Sequence, residues 1–225
     1  MAGTLEMVKK IAAKYEKVIA VGYSQGGLVW RGMIEEWDDH NIDTFITIAS
    51  PQHGVYGIPD LVQQYVPFLW FLEGGSLYTV VYTEWGQAVS ALSYYLDPTH
   101  YQEYLEGCIF LPVLNNEVGE EEEKERKKRN FSAVQHLVLV GGSGDDVVEP
   151  WESSHFGYYT ELGFSGPVVA MEESRLYKED LFGLKTMAER GGVEKCRYDG
   201  IDHFGFRDNP DMLEQCVLPA IKPYL

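Results

Sequence analysis

Apolar positions in the first fifty residues recur with two different periods. Residues 4–17 (TLEMVKKIAAKYEK) set Leu5, Val8, Ile11, Ala12 and Tyr15 on one face with lysines opposite, which predicts an amphipathic helix. Val18-Ile19-Ala20-Val21 follows as an unbroken apolar run, the pattern of a strand buried on both faces. Gly22 to Gly27 interrupts it, and a second helix is predicted over about Leu28 to Trp37. Phe45 to Ala49 reads as another buried strand, stopped by Ser50-Pro51. Helix alternating with buried strand predicts an α/β fold, a mostly parallel sheet flanked by helices.

Between Pro51 and about Asn130 the alternation stops, and residues 65–104 are dense in Tyr, Trp and Phe. This segment reads as an aromatic-rich helical cap, 51–130, inserted in a single domain spanning 1–225. The charge run Glu120 to Arg129 within it predicts a solvated helix or loop. Gln135 to Val140 resumes the strand pattern and ends in Gly141-Gly142-Ser143-Gly144. A helix over Asp180–Arg190, a strand over Val193–Tyr198 and a last helix from about Asp211 towards Leu218 complete the expected order.

Composition narrows the function. At 225 residues, 45% hydrophobic and 24% charged, the chain can bury a sizeable core. Its formal charge of −17 repels phosphate backbones, so a nucleic-acid partner is not expected. The longest apolar run, Tyr65 to Leu72, contains Pro67 and is far short of a membrane span, so no transmembrane segment is expected. Met1 begins no secretory leader, and Cys108, Cys196 and Cys216 are too scattered to predict a disulfide framework or a zinc site. The sequon Asn130-Phe131-Ser132 bears on a glycan only if the protein is secreted.

The chemistry concentrates in Gly22-Tyr23-Ser24-Gln25-Gly26, a G-x-S-x-G pattern between a buried strand and a helix. That is the setting of a nucleophile elbow, a strained turn that lifts a serine hydroxyl clear of the sheet of an α/β-hydrolase. Glycines are expected to flank Ser24 because side chains there would strike the neighbouring strand and helix. A serine needs a base, and the base an orienting acid, in the chain order Ser, Asp or Glu, His. Asp145, after the strand at Leu137–Val140, is the expected acid, with Asp146 and Glu149 as neighbours that could be mistaken for it. Only His203 among the six histidines falls in a loop after the last strand, so it is the expected base. His40, His53, His100, His136 and His155 are read as surface or packing residues. Neither a cofactor nor a metal is expected, since no P-loop, H-E-x-x-H, paired-Cys or G-x-G-x-x-G motif is present.

Val21–Trp30 (VGYSQGGLVW), Ser50–Asp60 (SPQHGVYGIPD), the Asp145 segment and Arg175–Lys185 (RLYKEDLFGLK) together resemble the palmitoyl-protein thioesterases. The resemblance runs through nearly the whole chain and is weakest over residues 60–135. It implies Ser24 as nucleophile, Asp145 as acid, His203 as base, and the Gln25 backbone N–H as one of two oxyanion donors. It also implies hydrolysis of long-chain acyl thioesters on S-palmitoylated proteins, in lysosomes. Val66, Phe68, Leu69, Trp70, Phe71 and Leu72 are the expected lining of an acyl groove. There a sixteen-carbon chain would contribute roughly 10 kcal/mol before ordering costs. Family members begin with a leader, a strand and an H-G-x-G-type turn that supplies the second oxyanion donor. None of these precedes Ser24, so the expectation is an N-terminally truncated chain with an open sheet edge beside Val18. The cysteines are expected not to pair as a secreted member's would. A lipase or carboxylesterase acting on oxygen esters, and a catalytically impaired fragment, are the alternatives.

Overall fold

The structure, a computed structural model, describes residues 2–57 and 77–224. The described strands are β1 (Val18–Tyr23), β2 (Ile42–Ile48), β3 (His136–Gly141), β4 (Tyr158–Tyr159), β5 (Val168–Val169) and β6 (Val193–Arg197). Four of them form a sheet in the order β1-β2-β3-β6, every pair parallel, while β4 and β5 make a small antiparallel ladder. Register runs Val21 to Ile46 to Val138 to Glu194 across the sheet.

Because side chains alternate across a strand, the unbroken apolar runs feed two cores at once. Phe45, Leu137 and Leu139 point to one face and pack with Ile34, Phe131, Leu184 and Met187. These partners come from α2 (Gln25–Glu35) and from helices Glu121–Ala133 and Leu184–Glu189. Ile46, Val138 and Val140 point to the other face and meet Phe206, Met212 and Val217 from the helical C-terminus. This parallel sheet, with helices on both faces and a serine turn leaving one strand end, is an α/β-hydrolase architecture. Val21 on edge strand β1 is 46% exposed.

Short helices at Tyr78–Val81, Tyr101–Gly107 and Leu111–Leu114 build a third apolar cluster with Val55, Tyr95, Leu96 and Tyr158. Arg31 ties that cluster to the sheet. Its guanidinium is fully buried 3.9 Å over the Phe182 ring and donates to Glu35, the Gln52 and Leu114 carbonyls and Asn115 Oδ1.

Three sequence expectations are corrected. The first helix, α1, covers Ala2–Ala12 and not residues 4–17, because the Asn41 amide donates to the Ala12 and Tyr15 carbonyls and closes it. Ile11 and Tyr15 are therefore exposed, and Ala12 is the buried residue. The helix expected over Asp180–Arg190 starts only at Leu184. Asp180 and Gly183 take positive φ (50° and 91°), and the Asp180 carboxylate accepts from the Lys185 and Thr186 N–H groups. Finally, Cys196 on β6 is bonded to Cys216, their Cα atoms 6.4 Å apart, while Cys108 is free and buried. Both residues belong to the core face covered by the C-terminal helix, a proximity that sequence spacing does not show.

Candidate active site

Ser24 follows β1 with φ 53° and ψ −131°, a backbone conformation that an L-residue adopts only when its surroundings hold it there. Its N–H donates to the Ile48 carbonyl at 2.9 Å, so the turn is still anchored to β2 as α2 begins. A Cβ on Gly22 would lie 2.6 Å from the Gly27 Cα, and one on Gly27 would lie 2.3 Å from Ser50 Oγ. A Cβ on Gly26 would meet nothing within 4 Å. The sterically required pair is thus Gly22 and Gly27, and not the second glycine of the motif. Gln25 is the first residue of α2, and first-turn N–H groups have no acceptor within their own helix.

The Asp145 and His203 segments are packed backbone to backbone. A Cβ on Gly142 would sit 1.8 Å from the Tyr198 carbonyl oxygen, and one on Gly144 would sit 2.6 Å from Ile201 N. Glycine there lets the turn after β3 lie against the loop after β6. Asp145 Oδ1 accepts from the Val147 and Val148 N–H groups at 2.9 and 2.8 Å. Both its carboxylate oxygens lie 3.0 Å from His203 Nδ1, and His203 Nε2 lies 2.9 Å from Ser24 Oγ. Asp145 and His203 are buried. Three residues chosen along the chain therefore form one continuous hydrogen-bonded series. With Nδ1 donating to the carboxylate, Nε2 is left as an acceptor facing the serine hydroxyl.

Asp146 and Glu149 do not join the series. Asp146 Oδ1 accepts instead from the His203 backbone N–H at 3.1 Å, and Glu149 accepts from the Tyr159 hydroxyl. The Tyr23 hydroxyl donates to the His203 carbonyl at 2.8 Å. Neither the Tyr23 nor the Asp146 contact has a signature in the sequence, since each joins residues far apart along the chain. Of the remaining histidines, His53 is buried and His155 half-buried, and desolvation depresses both to about 4.

Beside Ser24 lies a cavity of about 40 Å³, lined by Pro51, Val55, Leu77, Leu92 and Tyr95 among others. A roomier cavity of about 480 Å³ lies elsewhere, among His53, Tyr101, Glu117, Tyr158 and Arg175. Val66, Phe68, Leu69, Trp70, Phe71 and Leu72, the expected groove lining, lie outside the described residues. Glu194 lies close to Cys196 and Cys216 in the arrangement of possible metal ligands, but both sulfurs are spent in the disulfide. No described helix is long and apolar enough to cross a membrane.

The family model for palmitoyl protein thioesterases matches residues 2–203. The chain is 40% identical over 218 residues to the lysosomal thioesterase PPT2 of Homo sapiens, covering 96% of this chain and 70% of that protein. It is 39% identical over 195 residues to the lysosomal thioesterase PPT2-B of Xenopus laevis, covering 87% of this chain and 65% of that one. Among solved structures, a monoacylglycerol lipase from Paleococcus ferrophilus gives a TM-score of 0.42 at 16% identity, covering 98% of this chain and 73% of that chain. That likeness is too distant to add to the sheet order described above. The family match over residues 2–203, joined to the 40% identity, places the chain in the palmitoyl protein thioesterase family.

Proposed function

We propose that the chain is a serine thioesterase that removes long-chain acyl groups, palmitoyl above all, from the cysteines of S-acylated proteins. Ser24 is the nucleophile, His203 the base and Asp145 the residue that orients the imidazole. The Ser24 oxygen attacks the thioester carbonyl while its proton passes to His203 Nε2. The Gln25 N–H, at the positive end of α2, faces the oxyanion that forms. As the tetrahedral species collapses, the C–S bond breaks and the imidazolium returns its proton to the departing cysteine thiolate. His203 then takes a proton from water, whose oxygen attacks the acyl-enzyme. As the Ser24 ester bond breaks, His203 returns that proton to Ser24 Oγ and the fatty acid is released.

The observation that carries this reading is the 2.9 Å approach of His203 Nε2 to Ser24 Oγ with Asp145 on the far side of the ring. Support for a thioester comes from the relatives, which are named lysosomal thioesterases. The same names support a lysosomal setting for this chain. The aromatic, helical segment within residues 51–130 is proposed to cap the acyl site. Replacing Ser24 with Ala should abolish turnover of a palmitoylated cysteine peptide and leave the circular dichroism spectrum unchanged. Unchanged turnover refutes the reading. Faster cleavage of the matched oxygen ester than of the thioester would assign the site to an esterase instead.

A further inference from the structure

His203 is held at more points than its side chain. Its backbone N–H donates to Asp146 Oδ1 at 3.1 Å, and its backbone carbonyl accepts from the Tyr23 hydroxyl at 2.8 Å. The Tyr23 ring also lies against the imidazole, centroids 5.2 Å apart and planes tilted by 37°. Phe204 meets the same imidazole edge-on at 5.7 Å. Each backbone group of this residue is thus answered by a side chain from a different catalytic segment. One comes from the residue preceding the nucleophile, the other from the residue following the acid.

We propose that Tyr23 and Asp146 are positioning residues that clamp the His203 backbone, so that its imidazole stays within reach of Ser24 when the loop after β6 would otherwise drift. The proposal rests on the reading of Ser24 and His203 as nucleophile and base. The contact with Asp145 fixes how the ring is turned, but it leaves the Cα of His203 free to move along the direction of the bond. A shift of a few tenths of an ångström there lengthens the Nε2 to Oγ contact, and proton transfer depends steeply on that distance. Tyr23 removes this freedom because it is covalently joined to Ser24. The hydroxyl that holds the base and the hydroxyl the base must reach belong to consecutive residues. Tyr23 also remains a phenol. Its burial and the carboxylates of Asp145, Asp202 and Asp146 raise its pKa, with Arg207 alone opposing. The clamp therefore keeps its donor at neutral pH.

Tyr23→Phe deletes the hydroxyl and keeps the ring. In the full chain, hydrolysing a palmitoylated cysteine peptide, it should lower kcat about tenfold while KM and the thermal midpoint barely move. Labelling by a serine-directed fluorophosphonate should slow in step with kcat. Asp146→Ala should do the same, and Asp146→Asn, which keeps an acceptor oxygen, should restore most of the rate. Combined with Tyr23→Phe, Asp146→Ala should give a non-additive effect, because both contacts hold one residue. A wild-type kcat in Tyr23→Phe overturns the clamp, as does a loss confined to KM or one explained by a lower thermal midpoint. Ser24→Ala separates the two levels. If it is inactive while Tyr23→Phe is unimpaired, only the clamp fails; if it still turns over, the serine mechanism fails and the clamp with it.

Discussion

Asp145 faces His203 with both of its carboxylate oxygens, each 3.0 Å from Nδ1. Oδ1 is further fixed by two backbone N–H donors from Val147 and Val148, so the carboxylate cannot swing away from the ring. This arrangement specifies the tautomer: the proton sits on Nδ1 and the lone pair on Nε2. Asp145→Asn can present an amide N–H to Nδ1 and so favour the opposite tautomer, with the proton of Nε2 pointing at Ser24. The expected result is a fall in kcat of about 10³–10⁴-fold with little change in the circular dichroism spectrum. A loss smaller than tenfold would remove Asp145 from the orienting role.

The disulfide between Cys196 and Cys216 closes a loop with a sequence separation of 20, and His203 lies inside it. One end is on edge strand β6 and the other in the C-terminal helical segment, so the bond fastens that helix against the sheet beside the base. For a loop of this size the chain-entropy model gives about 3 kcal/mol of stability. Cys196→Ser with Cys216→Ser, or a reductant applied to the native chain, should lower the denaturation midpoint by a corresponding amount. Activity should fall at temperatures where the rest of the sheet is still folded. Equal midpoints for the oxidised and reduced chains would show that packing alone holds the helix.

Asn130 sits in a sequon, yet its side chain is spent inside the fold. The amide donates to the Glu35 carbonyl at 2.9 Å and to Asp38 Oδ1 at 2.8 Å, and the residue is only 8% exposed. A glycan on Nδ2 would displace one of these bonds. Folded chain secreted from eukaryotic cells should therefore carry no sugar at Asn130, as read by peptide mass spectrometry. Asn130→Gln should cost about 1–2 kcal/mol, since its longer amide cannot reach both acceptors at once. Glycosylated Asn130 in active, folded protein would contradict the packing described here.

The apolar runs at Val18–Val21, Phe45–Ala49 (broken only by Thr47) and Leu137–Val140 made the parallel sheet legible, because a strand covered on both faces has few polar positions. The ends of β1, β3 and the strand expected over Val193–Tyr198 marked where Ser24, Asp145 and His203 leave the sheet, so the three residues proposed to act together were chosen from their order along the chain. What the sequence hid were contacts whose partners lie far apart in it. The Cys196–Cys216 bond, the Tyr23 hydroxyl on the His203 carbonyl and the Asn41 amide closing α1 depend on how loops return over the sheet. Gly26 erred the other way: the motif names it, but the tight contact, with the Ser50 side chain, occurs one residue later, at Gly27.

His53 is buried and His155 half-buried, and desolvation is the first cause of their depressed pKa, about 4 for each. Each keeps one N–H for a backbone carbonyl: His53 Nδ1 to Phe156 at 2.9 Å and His155 Nε2 to Cys196 at 3.2 Å. Unfolded, both would protonate near 6.5. As pH falls from about 6.5 towards 4, the unfolded chain takes up two protons that the folded chain refuses, so stability declines through that window. Glu35 acts in the opposite sense. Burial raises it to about 7 despite Arg31, so its contribution grows as pH falls from 7 towards 4.5. With two histidines against one carboxyl, the net effect of these three groups between pH 7 and 5 is a loss. Each histidine contributes on the order of 1–2 kcal/mol of it by pH 5. Urea denaturation at pH 7 and pH 5 should show this loss, and His155→Gln, which retains a donor for Cys196, should shrink it. A pH response identical to that of the native chain would mean that His155 protonates inside the fold, and the burial argument for it would be wrong.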